Sequence, residues 1–494
     1  MITVDRLNRR AVFVLSVLAG VLGYTTFQWG GVVRTGRYQY LLVLGLLAML
    51  LNLSRSREEW SRLPNRVVRW TATLLPAYVL LQVVPLPVAV LRVLSPARWE
   101  AMDALRPVGM KVSYASLSVF PAGTFQYFLL GCGYMVIFVL VCTLTWSFWD
   151  RCWLVIWPIL GIAGLEAGLG IWQYFGGVGE QVRWGTYANH DHYAGFLEMA
   201  LPLAVMYPMA VLRRTHSKWH SSVTPALVAS ALWALAVLIF AGIILSFSRM
   251  GFIATLFSLF VMGTLVLGTA QLRWLTGSRS RWAVAGGIVA ALVLVGFVVL
   301  SPETLIRRFA ELVSTDRLTS AGRADLWAET IPLIKAYPIF GCGLGGYETA
   351  FSRFKISGVL LTDNFAHNDY LQLLAELGLV GFIIGAALAF SVVRTALRGA
   401  VKSSDPEDRY WAVACTGALA AIGMHSLADF NLYLPANAML LAWVAGMTAA
   451  VELRETSMNV WEQLGPATVT MEKRSKLVHS VRCVADCCKT GGAA

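Results

Sequence analysis

The chain has 494 residues, of which 57% are hydrophobic and only 14% charged, and its formal net charge is +12 at pH 7. An ordinary soluble domain carries about 25% charged residues, so this composition excludes a soluble globular protein and indicates a multi-pass membrane protein. The positive charge is read first as membrane charge, since basic loops set orientation and meet anionic lipid, and only second as a nucleic-acid surface.

A helix needs about 20 apolar residues to cross a bilayer. In chain order, runs that meet this or come near it predict twelve spans: 11–29, 39–53, 71–92, 125–145, 153–175, 193–212, 223–247, 250–270, 283–300, 369–393, 410–428 and 435–452. Arg6, Arg9 and Arg10 precede the first run as they would in a signal peptide. No small-residue cleavage site follows it and further spans do, so it is expected to be retained. Pro85 and Pro87 are expected to kink the end of the third span.

With the N-terminus placed in the cytoplasm, 25 of the 40 Lys and Arg residues fall on the cytoplasmic side. That asymmetry predicts cytoplasmic termini at both ends. One long polar loop, 301–368, then lies on the outer face, with smaller outer loops at 94–124 and 176–192. Inside the long loop, "ETLIRRFAELV" carries Leu305, Ile306, Phe309 and Leu312 at helical spacing, and "SAGRADLWAETIPLIKAYP" carries Leu326, Trp327, Ile331 and Ile334. Both read as amphipathic helices near the membrane surface, the second with Ser320 as its cap. Residues 1–453 thus read as one membrane unit and 454–494 as a loosely ordered tail. Of the eight cysteines, Cys132, Cys142, Cys152 and Cys415 lie in or beside apolar runs, and Cys483, Cys487 and Cys488 cluster in the tail without a zinc-type spacing. Cys342 alone falls in a sizeable polar loop, and no structural disulfide is expected.

Polar residues near helix ends on the outer side form a set. Arg249 lies in the "SFSRMG" turn, Arg323 in "SAGRADLW", and His367 in "DNFAHNDYLQ", just where the chain re-enters the membrane. Asn189, His190, Asp191 and His192 open the sixth span, and His425 and Asp429 sit near the outer end of the eleventh. Five segments can thus converge on one outer pocket. Each residue also has a plainer reading. Arg249 can be an interfacial arginine, Arg323 a surface charge, His367 a capping residue, and His425 with Asp429 a satisfied buried pair one helical turn apart. Arg is nevertheless costly inside the membrane and disfavoured at a helix N-terminus unless an anion is near. His190 and His192 are two residues apart, which suits hydrogen bonding better than zinc ligation.

"GCGLGG", Gly341 to Gly346, fits G-x-G-x-x-G literally. It follows Tyr337-Pro338 rather than a strand, so a tight turn is expected and a dinucleotide site is not, although its amides can hold an anion. An outer pocket has no nucleotide energy source, so a donor there must bring its own leaving group. A lipid-linked diphosphate sugar does so. Two arginines to hold the diphosphate and one histidine to accept a hydroxyl proton make a sufficient kit without a metal or cofactor.

The stretches "GTYANHDHYAGFLEMALPL", "SFSRMGFIA", "SAGRADLWAETIPLIKAYPIFGCGLGGYETAF", "AHNDYLQLLAELGLVG" and "HSLADFNLYLPANA" occur in this order across 185–440. Together they resemble the bacterial O-antigen ligase and polymerase superfamily. The first 125 residues match it only as hydrophobic spans. The resemblance implies an all-helical, GT-C-like inner-membrane glycosyltransferase. It would move a glycan from undecaprenyl diphosphate to an acceptor with inversion, on the periplasmic face and without a metal. It further implies that Arg249 and Arg323 hold the diphosphate and that His367 is the general base. Asn368 and Asp369 would orient His367 or cap the next helix, and Asn189, Asp191, His192 and Asp429 are further pocket candidates. The acceptor can be lipid A core in a ligase, another lipid-linked repeat unit in a polymerase, or Ser/Thr in a protein glycosyltransferase. Chain length and the broad loop lean toward an O-antigen or exopolysaccharide polymerase, working alone or with other polysaccharide-assembly proteins. A lipid-linked glycan flippase is the alternative from another class. It predicts repeat symmetry and charges buried along a pathway, and only Glu166 and Glu198 lie inside spans away from the outer set.

Overall fold

A computed structural model describes residues 9–53, 66–177, 184–216, 223–268, 321–356 and 364–464. The expected ninth span, the "ETLIRRFAELV" helix, the Ser320 cap and the tail cysteines lie outside these residues.

The described chain is a helical bundle. It opens with α1 (Arg9–Phe27), α2 (Arg34–Leu53) and α3 (Arg66–Leu81). A two-residue antiparallel pairing, β1 (Leu86–Pro87) with β2 (Tyr114–Ala115), frames the short helices α4 (Val88–Leu94) and α5 (Pro96–Asp103). Then come α6 (Pro121–Ser147), α7 (Trp157–Phe175), α8 (His190–His216), α9 (Val223–Leu245) and α10 (Arg249–Gly268). After the undescribed stretch follow α11 (Ala321–Ala336), the short α12 (Tyr347–Phe351), α13 (Asp369–Lys402), α14 (Pro406–His425) and α15 (Pro435–Leu464).

Seven described segments are long and apolar enough to cross a membrane: α1, α6, residues 152–175 ending in α7, and α8, α9, α10 and α13. The chain is therefore a multi-pass helical membrane protein. α2, α3, α14 and α15 belong to the same bundle but are not among these seven. In α8, 72% of the apolar window is buried inside the protein, against 28% in α10 and α13. α8 is the central post, and the other two turn most of their surface outward.

Two expectations about the backbone are corrected. The third span does not run to residue 92 with a proline kink: α3 stops at Leu81, and the chain turns into β1 before α4. Proline cannot donate to the helical ladder, and two in three residues end the helix outright. The last helix runs on to Leu464, beyond its expected end at 452.

One end of the bundle collects the termini that matter. α7 and α9 end there, α8, α10, α13 and α15 begin there, and α14 ends there at His425. α11 packs against α13 at this end.

Candidate functional site

The entrance to α8 is held from α7. Glu166 accepts hydrogen bonds from Thr186 N (2.9 Å) and Thr186 Oγ1 (2.5 Å), while Gln173 exchanges two bonds of 2.9 Å with the backbone of Gly185. Glu166 therefore anchors this loop. Asn189 Oδ1 accepts from Asp191 N at 2.8 Å, a local turn that fixes the direction of the next side chains. The Arg249 turn is locked onto the same place. Ser248 Oγ donates to Asp191 Oδ1 at 2.6 Å and accepts from Gly251 N at 3.0 Å.

His367 has the left-handed backbone angle φ +48°, a conformation that costs a non-glycine residue on the order of 1–3 kcal/mol. Its neighbours hold it there. Gln372 Oε1 accepts from Ala366 N and Trp327 Nε1 donates to Ala366 O, both at 2.9 Å. Asn368 is the N-cap of α13, accepting from the amides of Tyr370 and Leu371 at 3.0 Å. Asp369 N donates to the carbonyls of Ser426 and Asp429, and the Asp369 carboxylate accepts from Ser426 Oγ (2.8 Å) and Leu432 N (3.3 Å). Of the two roles expected for this pair, Asn368 takes the cap. Asp369 braces the turn after α14.

That turn carries Asp429, on which three histidines from three segments converge. His367 Nδ1 lies 3.4 Å from Asp429 Oδ1, His192 Nε2 lies 3.4 Å from Oδ2, and His425 Nε2 lies 3.9 Å from Oδ2. These are ion-pair distances rather than tight hydrogen bonds. Burial pushes the Asp429 carboxyl up, but His192, His367 and His425 more than reverse this and hold it well below the usual carboxylate range. α14 ends at His425, so Asp429 reaches it from the following turn and not along one helical face. Phe430 sets the spacing. Its ring centroid is 4.6 Å from that of His192 and 4.8 Å from that of His367, and Phe365 stacks on it at 4.0 Å.

Arg323, in the first turn of α11, points its guanidinium at Asp191 Oδ2, 3.4 Å away. Asp191 thus joins Arg323 to Ser248, the residue before Arg249. Arg249 opens α10 half-buried, and no carboxylate among the described residues pairs with it. Both arginines therefore stand at helix N-termini, where backbone N–H groups and the helix dipole already favour an anion. The outer layer is open to solvent, with the His367 side chain 35% exposed and that of Arg323 34%, while Asp429 is fully buried.

The glycine-rich loop is a clamp, and the group its amides hold is a carboxyl of the protein itself. Glu376 accepts from Gly345 N (2.8 Å), Tyr347 N (3.0 Å) and Tyr433 Oη (2.7 Å), and Gln82 bonds Phe340 O, Glu376 O and Leu344 N. α13 breaks here at Gly378, with φ 61° and ψ −172°. A Cβ on Gly378 would strike the backbone of Ile339 and Gly341, and one on Gly341 would strike Glu376 O. Cys342 beside it is free and buried, and burial pushes its thiol well above the ordinary range.

Sequence reasoning missed Glu376, Gln82 and the hydrogen-bonding role of Trp327, and it set Glu198 apart from the site. Glu198, fully buried in α8, lies 3.0 Å from His425 Nδ1 through each carboxylate oxygen. A carboxylate two turns inside a span and a histidine at the end of another are the available signal, and only the fold joins them.

The fold and the site define a multi-pass helical membrane protein with a polar, partly open centre at one end of its bundle. Residues 234–386 match the family model described as O-Antigen ligase, so this stretch of the chain is similar to that family. The match runs from α9 into the first half of α13 and includes Arg249, Arg323 and His367. Asn189, Asp191, His192 and Asp429 lie outside it. No curated protein matches the chain.

Proposed function

We propose that the protein transfers a glycan from an undecaprenyl-diphosphate carrier to an acceptor hydroxyl, with inversion and without a metal, on the periplasmic face of the inner membrane, with both termini cytoplasmic and residues 1–453 as the working unit. The observation that carries this reading is the His367–Asp429 contact of 3.4 Å beside two arginines at helix N-termini. His367 Nδ1 faces Asp429, which leaves Nε2 to the open side. The acceptor hydroxyl gives its proton to Nε2 as its oxygen attacks the anomeric carbon. The bond from that carbon to the diphosphate breaks on the opposite face, and the electron pair leaves with the diphosphate. Arg249 and Arg323 balance the growing charge, the effect expected of preorganised cations at a leaving group. Asp429 keeps the His367 ring in the tautomer that accepts at Nε2.

The acceptor favoured here is another lipid-linked repeat unit, which makes the protein an O-antigen or exopolysaccharide polymerase. A ligase acting on lipid A core is the second reading of the same site. Purified protein in liposomes, given one polyprenyl-diphosphate-linked repeat unit and no other acceptor, should build a ladder of lengthening products. Transfer that starts only when lipid A core is added would identify a ligase instead. Glu166 and Glu198, the carboxylates that best suited a flippase, are tied to the Thr186 loop and to His425.

A further inference from the structure

Beneath Asp429 lies a second layer that the mechanism above does not use. His425 and Glu198 are both completely buried, on α14 and α8. His425 Nδ1 is 3.0 Å from each Glu198 oxygen, and its Nε2 is turned to Asp429 Oδ2 at 3.9 Å. Glu198, His425, Asp429 and His367 thus alternate carboxylate and imidazole from the apolar interior to the open site. Burying such a pair carries a desolvation penalty that its mutual attraction must offset, and a well-packed apolar pair would fill the space without that penalty.

We infer that Glu198 and His425 are positioning residues that act on His367 through Asp429, setting the charge of the cluster so that it becomes neutral when His367 takes up the acceptor's proton. This rests on the reading of His367 as the base. His425 Nδ1 is within hydrogen-bond reach of Glu198, while Nε2 faces the Asp429 carboxylate across 3.9 Å without a hydrogen bond, and two flanking carboxylates favour the doubly protonated cation. The Glu198–His425 pair is then neutral overall, Asp429 leaves the cluster with one negative charge, and the imidazolium formed at His367 cancels it. No proton moves within the pair during transfer. The other charged or titratable groups facing it are Asp191 and Asp369, with His192 beyond Asp429.

Glu198→Gln removes one negative charge and keeps the shape. Proton uptake at His367 then leaves the cluster positive. Its kcat should fall by about tenfold or more, in the range of general-base effects, with the KM for the lipid-linked donor within about twofold of wild type. The acidic limb of its kcat/KM profile should move to lower pH. Glu198→Gln combined with His425→Gln removes a neutral pair, so the double variant should recover part of the rate lost in the single one. A Glu198→Gln enzyme with lowered thermal stability but wild-type kcat and pH profile would reduce the pair to a structural contact and overturn the inference. So would a double variant no faster than the single one. His367→Ala assayed alongside separates the two ideas, because transfer at the wild-type rate in that variant would sink the base assignment itself.

Discussion

His367 Nδ1 and Asp429 Oδ1 are 3.4 Å apart, although the two residues are 62 positions apart in sequence and one side chain is 35% exposed while the other is fully buried. A buried carboxylate behind an open imidazole is how a histidine is held in one tautomer and one orientation. Asp429→Asn keeps the volume but loses the charge and offers an amide where an acceptor is needed. Transfer should drop by about 10²–10⁴-fold, the range of general acid–base effects, whose upper end is reached when the aspartate behind a catalytic histidine is changed to asparagine. Rates and thermal unfolding of the same preparations check it.

The histidines hold Asp429 well below the usual carboxylate range, despite its burial. A depressed carboxylate gives stability that is full above its unfolded value, about 3.9, and is lost as pH falls through the folded value. The protein should therefore show no loss of stability from Asp429 above about pH 4. The difference in unfolding temperature between wild type and Asp429→Asn should shrink only in stronger acid, which a pH series of thermal melts reads directly.

Arg323 rests on Asp191, 3.4 Å away. In the proposed reaction a donor diphosphate would compete with that carboxylate. The pair is partly exposed, so its contribution is modest, about 1 kcal/mol or less. Asp191→Asn should lower the KM for the lipid-linked donor by up to about fivefold at low salt, and Arg323→Ala should raise it. A salt titration should shrink both effects.

Gly378 and Gly341 interlock where α13 breaks over the glycine-rich loop. Gly378→Ala places a side chain in a left-handed conformation and against backbone, which costs at least about 1–3 kcal/mol for the conformation alone. Its unfolding temperature should fall by several degrees. Gly385→Ala, in the same helix with open space around it, should have little effect.

Much of this architecture was legible in the sequence because apolar length and capping chemistry are local. Asn368 before Asp369 announced the start of α13, and the apolar spacing from Leu326 to Ile334 announced a helix at α11, although Ile331 of the expected face is exposed and Leu333, outside that face, is the buried one. The five polar segments could also be gathered at one end by counting spans. What could not be read is contact across the fold. Trp327 counted as part of an apolar face, yet its indole N–H holds the backbone beside His367. Glu198 looked like an isolated charge inside a span until α14 brought His425 against it. The break at Gly378 was hidden in an apolar run whose helical pattern continues past it, since the partner that forces the break, Gly341, is remote in sequence.

In the proposed reaction His367 takes the proton while Arg249 and Arg323 hold the leaving diphosphate. The most direct measurement is single-turnover release of polyprenyl diphosphate from a lipid-linked donor in liposomes, with donor binding recorded on the same preparations. His367→Ala should bind donor as wild type does but release no polyprenyl diphosphate, and Arg249→Ala and Arg323→Ala should lose donor binding. Release at the wild-type rate by His367→Ala, or undiminished donor binding in both arginine variants, would contradict these roles.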